Sequence, residues 1–203
     1  MNREVVARNF ATHSENRIHS DEAAREYGLR GGLVPGITVY GYLASEDLLR
    51  RGPVRIRFIK PVFDGDLLSI QEDADCITAF RDGEACAVLT VGGPQLELPT
   101  IPERPLPLRE QRPKPGPETL RAGWALGTLH GNLESEAAAD NIPAALLSLA
   151  NRCLMDNFRL DPWMHVGSEI SHRSAIQWGD PSPALAASRS PIRRRAASTW
   201  WRT

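Results

Sequence analysis

The sequence predicts an α+β domain in which a long apolar helix packs against an antiparallel sheet. Two observations support this prediction. The stretch from Pro35 to Arg51 has apolar residues at the three- and four-residue spacing of a helix. The stretch from Val54 to Val91 alternates apolar with polar residues, as half-buried strands do. Because the helix is apolar over much of its circumference, we expect the sheet to wrap around it.

The elements before the sheet follow from local patterns. Arg3–Asn9 is predicted as a short strand. Asp21–Tyr27 is predicted as a short helix, because Asp21 is an acid in its first turn and Gly28 can end it. The long apolar helix then begins at Pro35, and Gly52 and Pro53 stop it.

Four strands are predicted after the long helix. The segment Arg81-Asp82-Gly83-Glu84 is a hairpin signal between the last two of them. The predicted strands are Val54–Phe58, Leu67–Asp73, Cys76–Phe80 and Ala85–Val91. We expect these elements to form a first domain over residues 1–93.

The second half repeats part of this order. Residues 94–117 contain eight prolines and are predicted to form an extended linker. An apolar helix from Asn141 to Phe158, a strand over Trp163–Ile176 and a Gly-Asp turn then echo the first half, so we interpret residues 118–180 as a partial second unit.

Residues 181–203 are rich in arginine and show no strand alternation. We predict a poorly ordered tail and interpret it as a truncated second unit, with a frameshift as one origin. The alternative is a functional basic tail.

Composition narrows the class of protein. The 203 residues carry a net charge of −1, which gives no indication of nucleic-acid binding. No apolar run approaches the ~18 residues that a membrane span requires. The three cysteines are widely spaced and form neither a metal motif nor a disulfide framework, so we expect a cytoplasmic protein without a membrane partner.

Several short motifs in the first half occur in the order found in one known family. They are Asn16-Arg17-Ile18-His19-Ser20-Asp21, Ala24, Gly28, Gly32-Leu33-Val34-Pro35-Gly36 and Pro61-Val62-Phe63-Asp64-Gly65-Asp66. Residues 1–92 thereby resemble the MaoC-like (R)-specific enoyl-CoA hydratases, which have the hotdog fold, and the second half resembles a partial second hotdog unit. The resemblance implies a hydratase or dehydratase that adds or removes water across the 2,3-double bond of an acyl thioester.

The resemblance also implies catalytic residues. His19 lies at the position of the family's catalytic histidine, and Asn16 at that of the motif asparagine. Ser14 occupies the position of the family's catalytic Asp, and Arg17 replaces a proline. Because a serine does not ionise near neutral pH, Glu15 is the other candidate partner for His19. The alternatives to these catalytic roles are structural. His19 would then only hydrogen-bond the backbone of a turn, and Asn16 would be a favoured turn residue.

The substrate is expected to meet the start of the long helix. The resemblance implies that the backbone N–H of Gly36 polarises the thioester carbonyl, with Val34 beside it. It implies no metal and no cofactor other than coenzyme A as part of the substrate. His165 and His172 are predicted to lie on opposite faces of a strand, which is not a metal-binding arrangement.

Two other functions stay open. Because Ser14 stands where the family has its catalytic Asp, one alternative is a non-catalytic hotdog subunit that binds acyl-CoA or pairs with an active partner. A hotdog thioesterase is a weaker alternative. In each case we expect a homodimer or a hotdog hetero-oligomer.

Overall fold

The computed structural model describes residues 2–93, 103–116, 118–119, 126–132, 141–160, 162–170 and 181–184. The strands are β1 (Asn2–Val6), β2 (Val54–Phe58), β3 (Leu67–Glu72), β4 (Cys76–Arg81), β5 (Glu84–Val91), β6 (Leu129–Asn132), β7 (Gly167–Ile170) and β8 (Pro181–Ala184). The helices are α1 (Asp21–Glu26), α2 (Gly36–Leu43), α3 (Glu46–Arg50) and α4 (Ile142–Asn157). The α+β class is therefore confirmed.

Six strands form one antiparallel sheet in the order β1-β3-β4-β5-β2-β7, and β6 pairs with β8 separately. The predicted hairpin between β4 and β5 is present. Its two central residues, Asp82 and Gly83, have φ values of 53° and 79°, as a type I′ turn requires. Local alternation and turn chemistry were therefore sufficient to predict this part of the sheet.

The alternation in β2 decides which face of the sheet is buried. Val54 and Ile56 are buried, whereas Arg55 and Arg57 between them are exposed. Together with β3, β4 and β5, these apolar side chains pack against α2 in the main core, which includes Tyr40, Leu68 and Leu89. This packing positions α2 on the covered face of the sheet.

The prediction of a single helix over 35–51 was wrong, because the chain forms two helices there. Ala44 and Ser45 have extended backbone conformations after α2 ends. The Ser45 side chain accepts a hydrogen bond from the Leu48 N–H at 3.2 Å, so it caps α3. A serine that can cap competes with continuation of the helix, and apolar periodicity does not detect this competition.

The predicted short helix is confirmed as α1. Its cap is Ser20, which accepts from the Ala23 N–H at 3.3 Å, and Gly28 after its end has a φ of 77°. Asp21 lies in the first turn, and its carboxylate accepts from the Gly32 N–H at 2.8 Å. Asp21 therefore connects α1 to the glycine-rich segment that leads into α2.

The helix predicted in the second half is confirmed as α4 and packs against α2. Asn141 caps α4 by accepting from the Ala144 N–H, and its amide also donates to the Gly41 carbonyl; both distances are 2.9 Å. A Cβ at Gly41 would lie 3.1 Å from that of Ala144. Glycine at position 41 therefore allows the two helices to approach closely.

The strand predicted over 163–176 is present only in part. Residues 163–166 form an irregular segment, Gly167–Ile170 forms β7, and residues 171–180 lie outside the described residues. The strand β7 pairs antiparallel with β2 and extends the sheet of the first half. The domain boundaries stay predictions. Residues 181–184 of the predicted tail form β8, and residues 185–203 lie outside the described residues.

The described part of the proline-rich segment lies against α4. Residues 103–116 contain a short 3₁₀ turn at Arg109–Gln111 and otherwise have no helix or strand. Arg112 pairs with Asp156 of α4 at 2.8 Å, and Leu106 packs against a small cluster that includes Leu149. Contacts with the helix therefore hold this stretch in place.

Candidate functional site

A cavity of about 810 Å³ lies between the N-terminal turn, the start of α2, the strand β2 and the helix α4. Five of the six predicted site residues line it: Ser14, Asn16, His19, Val34 and Gly36. The sixth, Glu15, is absent from its walls. The first half thus brings its motif residues together around one space.

His19 ends a 3₁₀ turn over Arg17–His19, which directs its ring to the glycine-rich segment. Its Nδ1 lies 2.7 Å from the Leu33 carbonyl oxygen, and its Nε2 lies 3.3 Å from the Asn16 amide nitrogen. Because a carbonyl only accepts, we assign the ring proton to Nδ1. Nε2 therefore carries a lone pair.

Burial lowers the pKa of His19 below its ordinary value of 6.5, and the hydrogen bond to Leu33 opposes this shift only partly. Removal from water disfavours the charged imidazolium. At neutral pH the ring is therefore neutral and able to accept a proton at Nε2.

Asn16 joins the N-terminal turn to the second half of the chain. Its amide nitrogen donates to the Trp163 carbonyl at 2.9 Å, and its amide oxygen accepts from the Trp163 N–H at 3.2 Å. The same amide nitrogen faces His19, and the residue is buried. Asn16 thus orients the imidazole and holds the segment around Trp163 against it.

Ser14 and Glu15 have different surroundings. The Ser14 hydroxyl lines the cavity and donates to the Asn16 carbonyl at 3.0 Å. Glu15 is exposed and pairs with Arg109 at 3.1 Å. Ser14 rather than Glu15 therefore lies at the cavity, with its hydroxyl on the backbone carbonyl of Asn16.

Val34 and Gly36 form the wall at the start of α2. Val34 is buried, and its N–H donates to the Val62 carbonyl at 2.8 Å. Gly36 is the first residue of α2, where backbone N–H groups have no acceptor within the helix. A Cβ at Gly36 would lie 3.1 Å from the Phe58 ring and 3.2 Å from the Cβ of His165, so glycine permits this close packing.

His165 lines the cavity and was not predicted as a site residue. Its ring centroid lies 5.1 Å from that of Phe58, and its Nε2 lies 2.8 Å from the Ser168 hydroxyl. Burial lowers its pKa to about 4. Its Nδ1 has no hydrogen-bond partner among the described residues. The sequence predicts one strand over Trp163–Ile176, which does not place His165 at a site. No motif in the neighbouring residues indicates a functional role for it.

A cluster of charged residues flanks the cavity near Phe63. The partly buried Asp66 carboxylate accepts from Arg30, from Arg81 at 2.8 Å and from the Phe63 N–H at 2.9 Å. Burial alone would raise the pKa of Asp66, but these hydrogen bonds outweigh it and hold the pKa below its usual value. Asp66, the last residue of the Pro61–Asp66 motif, thus organises this cluster.

The two arginines of β2, Arg55 and Arg57, are exposed to solvent. Arg55 pairs with Glu169, whereas Lys60 lines the cavity and pairs with Glu84 at 2.6 Å. Among the described residues, no group of three or more His, Cys, Asp or Glu side chains is placed to hold a metal ion. None of the described helices has the length and apolar character needed to cross a membrane.

Comparisons with known proteins leave the family of this chain open. No protein-family model matches it. No curated protein matches it either. The chemistry of the site therefore has to be argued from its own residues.

The arrangement combines a base with a donor. The neutral His19 ring, whose Nε2 accepts from the Asn16 amide, lies at one wall of a largely apolar cavity, and Gly36 at the start of α2 lies at another wall. An imidazole can take up and return a proton, and free backbone N–H groups stabilise a developing oxyanion.

Proposed function

We propose that this protein is a MaoC-like acyl-CoA hydratase/dehydratase of the hotdog fold, with His19 as its acid/base residue. The observation that carries the proposal is the Nδ1–Leu33 hydrogen bond, which leaves Nε2 of a neutral imidazole unprotonated at the cavity that also contains the start of α2. The packing of α2 on an antiparallel sheet supports the fold assignment.

In the hydration direction, water replaces the Asn16 amide at Nε2 of His19 and gives Nε2 a proton, while the water oxygen bonds to C3 of the enoyl thioester. The electrons of the double bond move to the thioester oxygen and form an enolate. The N–H of Gly36 stabilises this oxygen. His19 then returns its proton to C2, which balances the addition of one water, and dehydration follows the same steps in reverse.

Among the described residues, no carboxylate hydrogen-bonds the His19 ring, and this favours a second candidate. In the described part of the chain the His19 ring bonds Asn16 and Leu33. Ser14 occupies the position of the family's Asp. The second candidate is a non-catalytic hotdog subunit that binds acyl-CoA or pairs with an active partner. No specific observation favours a thioesterase.

The first experiment follows the absorbance of the enoyl-thioester band after the full-length protein is mixed with trans-2-enoyl-CoA of four or twelve carbons. We expect loss of absorbance that His19→Ala reduces by roughly 10²–10⁴-fold. His13→Ala is the matched control, because His13 is exposed and does not line the cavity. Release of free CoA would instead indicate a thioesterase.

A restored motif separates the first two candidates. The double variant Ser14→Asp/Arg17→Pro recreates the family pattern beside His19. If the wild type is inactive and this variant hydrates enoyl-CoA, the site is that of a former enzyme and the non-catalytic function is correct. Inactivity of both proteins, together with no binding of acyl-CoA and no complex with a candidate hotdog partner, would contradict both candidates.

We also propose that the chain forms a homodimer or a hotdog hetero-oligomer. The edge strand β1 and its neighbour β3 expose Val6 and Leu67, which pair directly across the strands, and Phe10 follows β1. An edge with exposed apolar side chains is a surface that other chains can cover. Light scattering at micromolar concentration tests this, and a monomer alone and with candidate hotdog partners would contradict it.

A further inference from the structure

The cavity beside His19 is far larger than a short acyl group requires. Its volume is about 810 Å³. For comparison, a buried apolar cavity of ~150 Å³ accommodates one benzene molecule. The cavity therefore has room for several ring-sized groups, even after part of it is taken by the thiol end of a coenzyme arm.

The walls of this space are mainly apolar and come from every element around it. Apolar side chains from the loop before α2, from α2, from β2, from α4 and from the segment before β7 contribute: Leu33, Ile37, Phe58, Met155 and Met164. Such walls stabilise an apolar ligand by removing its surface from water. Two of them are methionines, whose flexible side chains adapt to ligands of irregular shape.

Charged side chains mark where the cavity opens to solvent. Arg30, Lys60 and Glu84 line it with side-chain exposures of 60%, 39% and 62%. A charged headgroup can remain at this opening while an apolar group extends into the interior. The helix α4 contributes the polar residues Ser148, Asn151 and Arg152 beside Met155. These residues could instead bind a polar end group, and the test below includes this alternative.

We infer that the acyl group bound in this cavity is large and predominantly apolar, with about ten carbons or more, in keeping with a pocket of several hundred Å³. This inference rests on the proposed function for the identity of the ligand as an acyl thioester. It goes beyond that function because hydration chemistry at His19 is the same for acyl groups of any length.

The test compares binding of butanoyl-CoA and dodecanoyl-CoA by the full-length protein, with CoA itself as the headgroup control. Saturated thioesters are used because they cannot react with water at C2–C3. Each methylene moved out of water is worth about fourfold in affinity. We expect dodecanoyl-CoA, kept below its micelle concentration, to bind at least ~100-fold more tightly than butanoyl-CoA.

A variant that fills the cavity makes the test specific. Met155→Trp should weaken dodecanoyl-CoA binding at least tenfold and leave butanoyl-CoA binding nearly unchanged. Ala150→Trp is the matched control, because Ala150 is an exposed residue of α4 that does not line the cavity. Should Met155→Trp fail to fold, the ratio of the two affinities in the wild type decides the matter.

Equal affinity for the two thioesters would overturn the inference, as would tighter binding of dodecanedioyl-CoA than of dodecanoyl-CoA. The latter result would show that Ser148, Asn151 and Arg152 bind a polar end group. Failure of the inference and failure of the proposed function are distinguishable. Hydration without chain-length preference overturns only the inference, whereas strong preference without hydration by any variant overturns only the hydratase activity.

Discussion

Nδ1 of His19 lies 2.7 Å from the carbonyl oxygen of Leu33. This contact joins the N-terminal turn to the glycine-rich segment and determines which imidazole nitrogen is unprotonated. Gly32, the residue before Leu33, makes the contact possible because it has no side chain. A Cβ at this position would lie 2.1 Å from the carbonyl oxygen of His19. The two segments therefore approach as closely as their backbones allow.

Substitution of Gly32 should separate these two segments. We expect Gly32→Ala to lower the free energy of unfolding by about 3 kcal/mol, since the new methyl group meets backbone atoms that cannot move aside cheaply. Urea denaturation measures this. Gly31→Ala is the neighbouring control, because its Cβ would contact only the Asp21 side chain, at 3.2 Å, and should cost under ~1 kcal/mol. Similar losses for the two variants would contradict the close approach.

The pH dependence of hydration should report His19. As a base, His19 acts in its neutral form, and burial lowers its pKa below 6.5. We therefore expect kcat/KM to be constant near neutral pH and to fall only below pH 6.5, as the ring gains a proton. The measurement is a pH–rate profile with an enoyl-CoA substrate. An acidic limb centred at or above 6.5 would be inconsistent with a buried imidazole as the base.

Asn16 should stabilise the fold as well as the site. Asn16→Ala leaves the backbone N–H and carbonyl of Trp163 without the two hydrogen bonds that they make with the amide, so we expect a loss of about 1–3 kcal/mol. Chemical denaturation checks this, with Asn2→Ala on the exposed strand β1 as the control. An unchanged midpoint for Asn16→Ala would show that the Trp163 segment does not depend on this link.

His165 should make stability depend on pH. Its pKa is about 4 in the folded protein and near 6.5 in the unfolded chain, so between these values the unfolded state binds more protons. Stability is therefore fully present above pH 6.5 and is lost as the pH falls toward 4. From pH 7.5 to pH 5 we expect this residue to account for a loss of ~2 kcal/mol.

Denaturant titrations of His165→Phe at the two pH values test this expectation. The variant should lose about 2 kcal/mol less than the wild type over the interval. The remaining dependence includes His19, whose pKa is also lowered, whereas the Asp66 carboxylate titrates below this pH range. His130→Phe is the control because His130 is 68% exposed. An equal pH dependence in His165→Phe and wild type would contradict the burial of a neutral ring.

Much of the first half could be predicted because its signals are local. The alternation in β2, the positive φ values at Asp82 and Gly83, and the glycine after α1 all depend on a few neighbouring residues. The motif around Asn16 and His19 likewise lies within one turn of chain. Backbone geometry and side-chain period act over such distances, so the order of residues is enough to predict them.

Other features depend on residues distant in the chain. The break before Ser45 reflects competition between a cap and helix continuation, which periodicity does not register. Pairing of β7 with β2, the link from Asn16 to Trp163 and the place of His165 beside Gly36 join segments more than a hundred residues apart. Many contacts between distant segments are equally compatible with the local sequence, and the packing of the whole chain selects among them. The cavity and the place of His165 in its wall therefore became identifiable only in the folded chain.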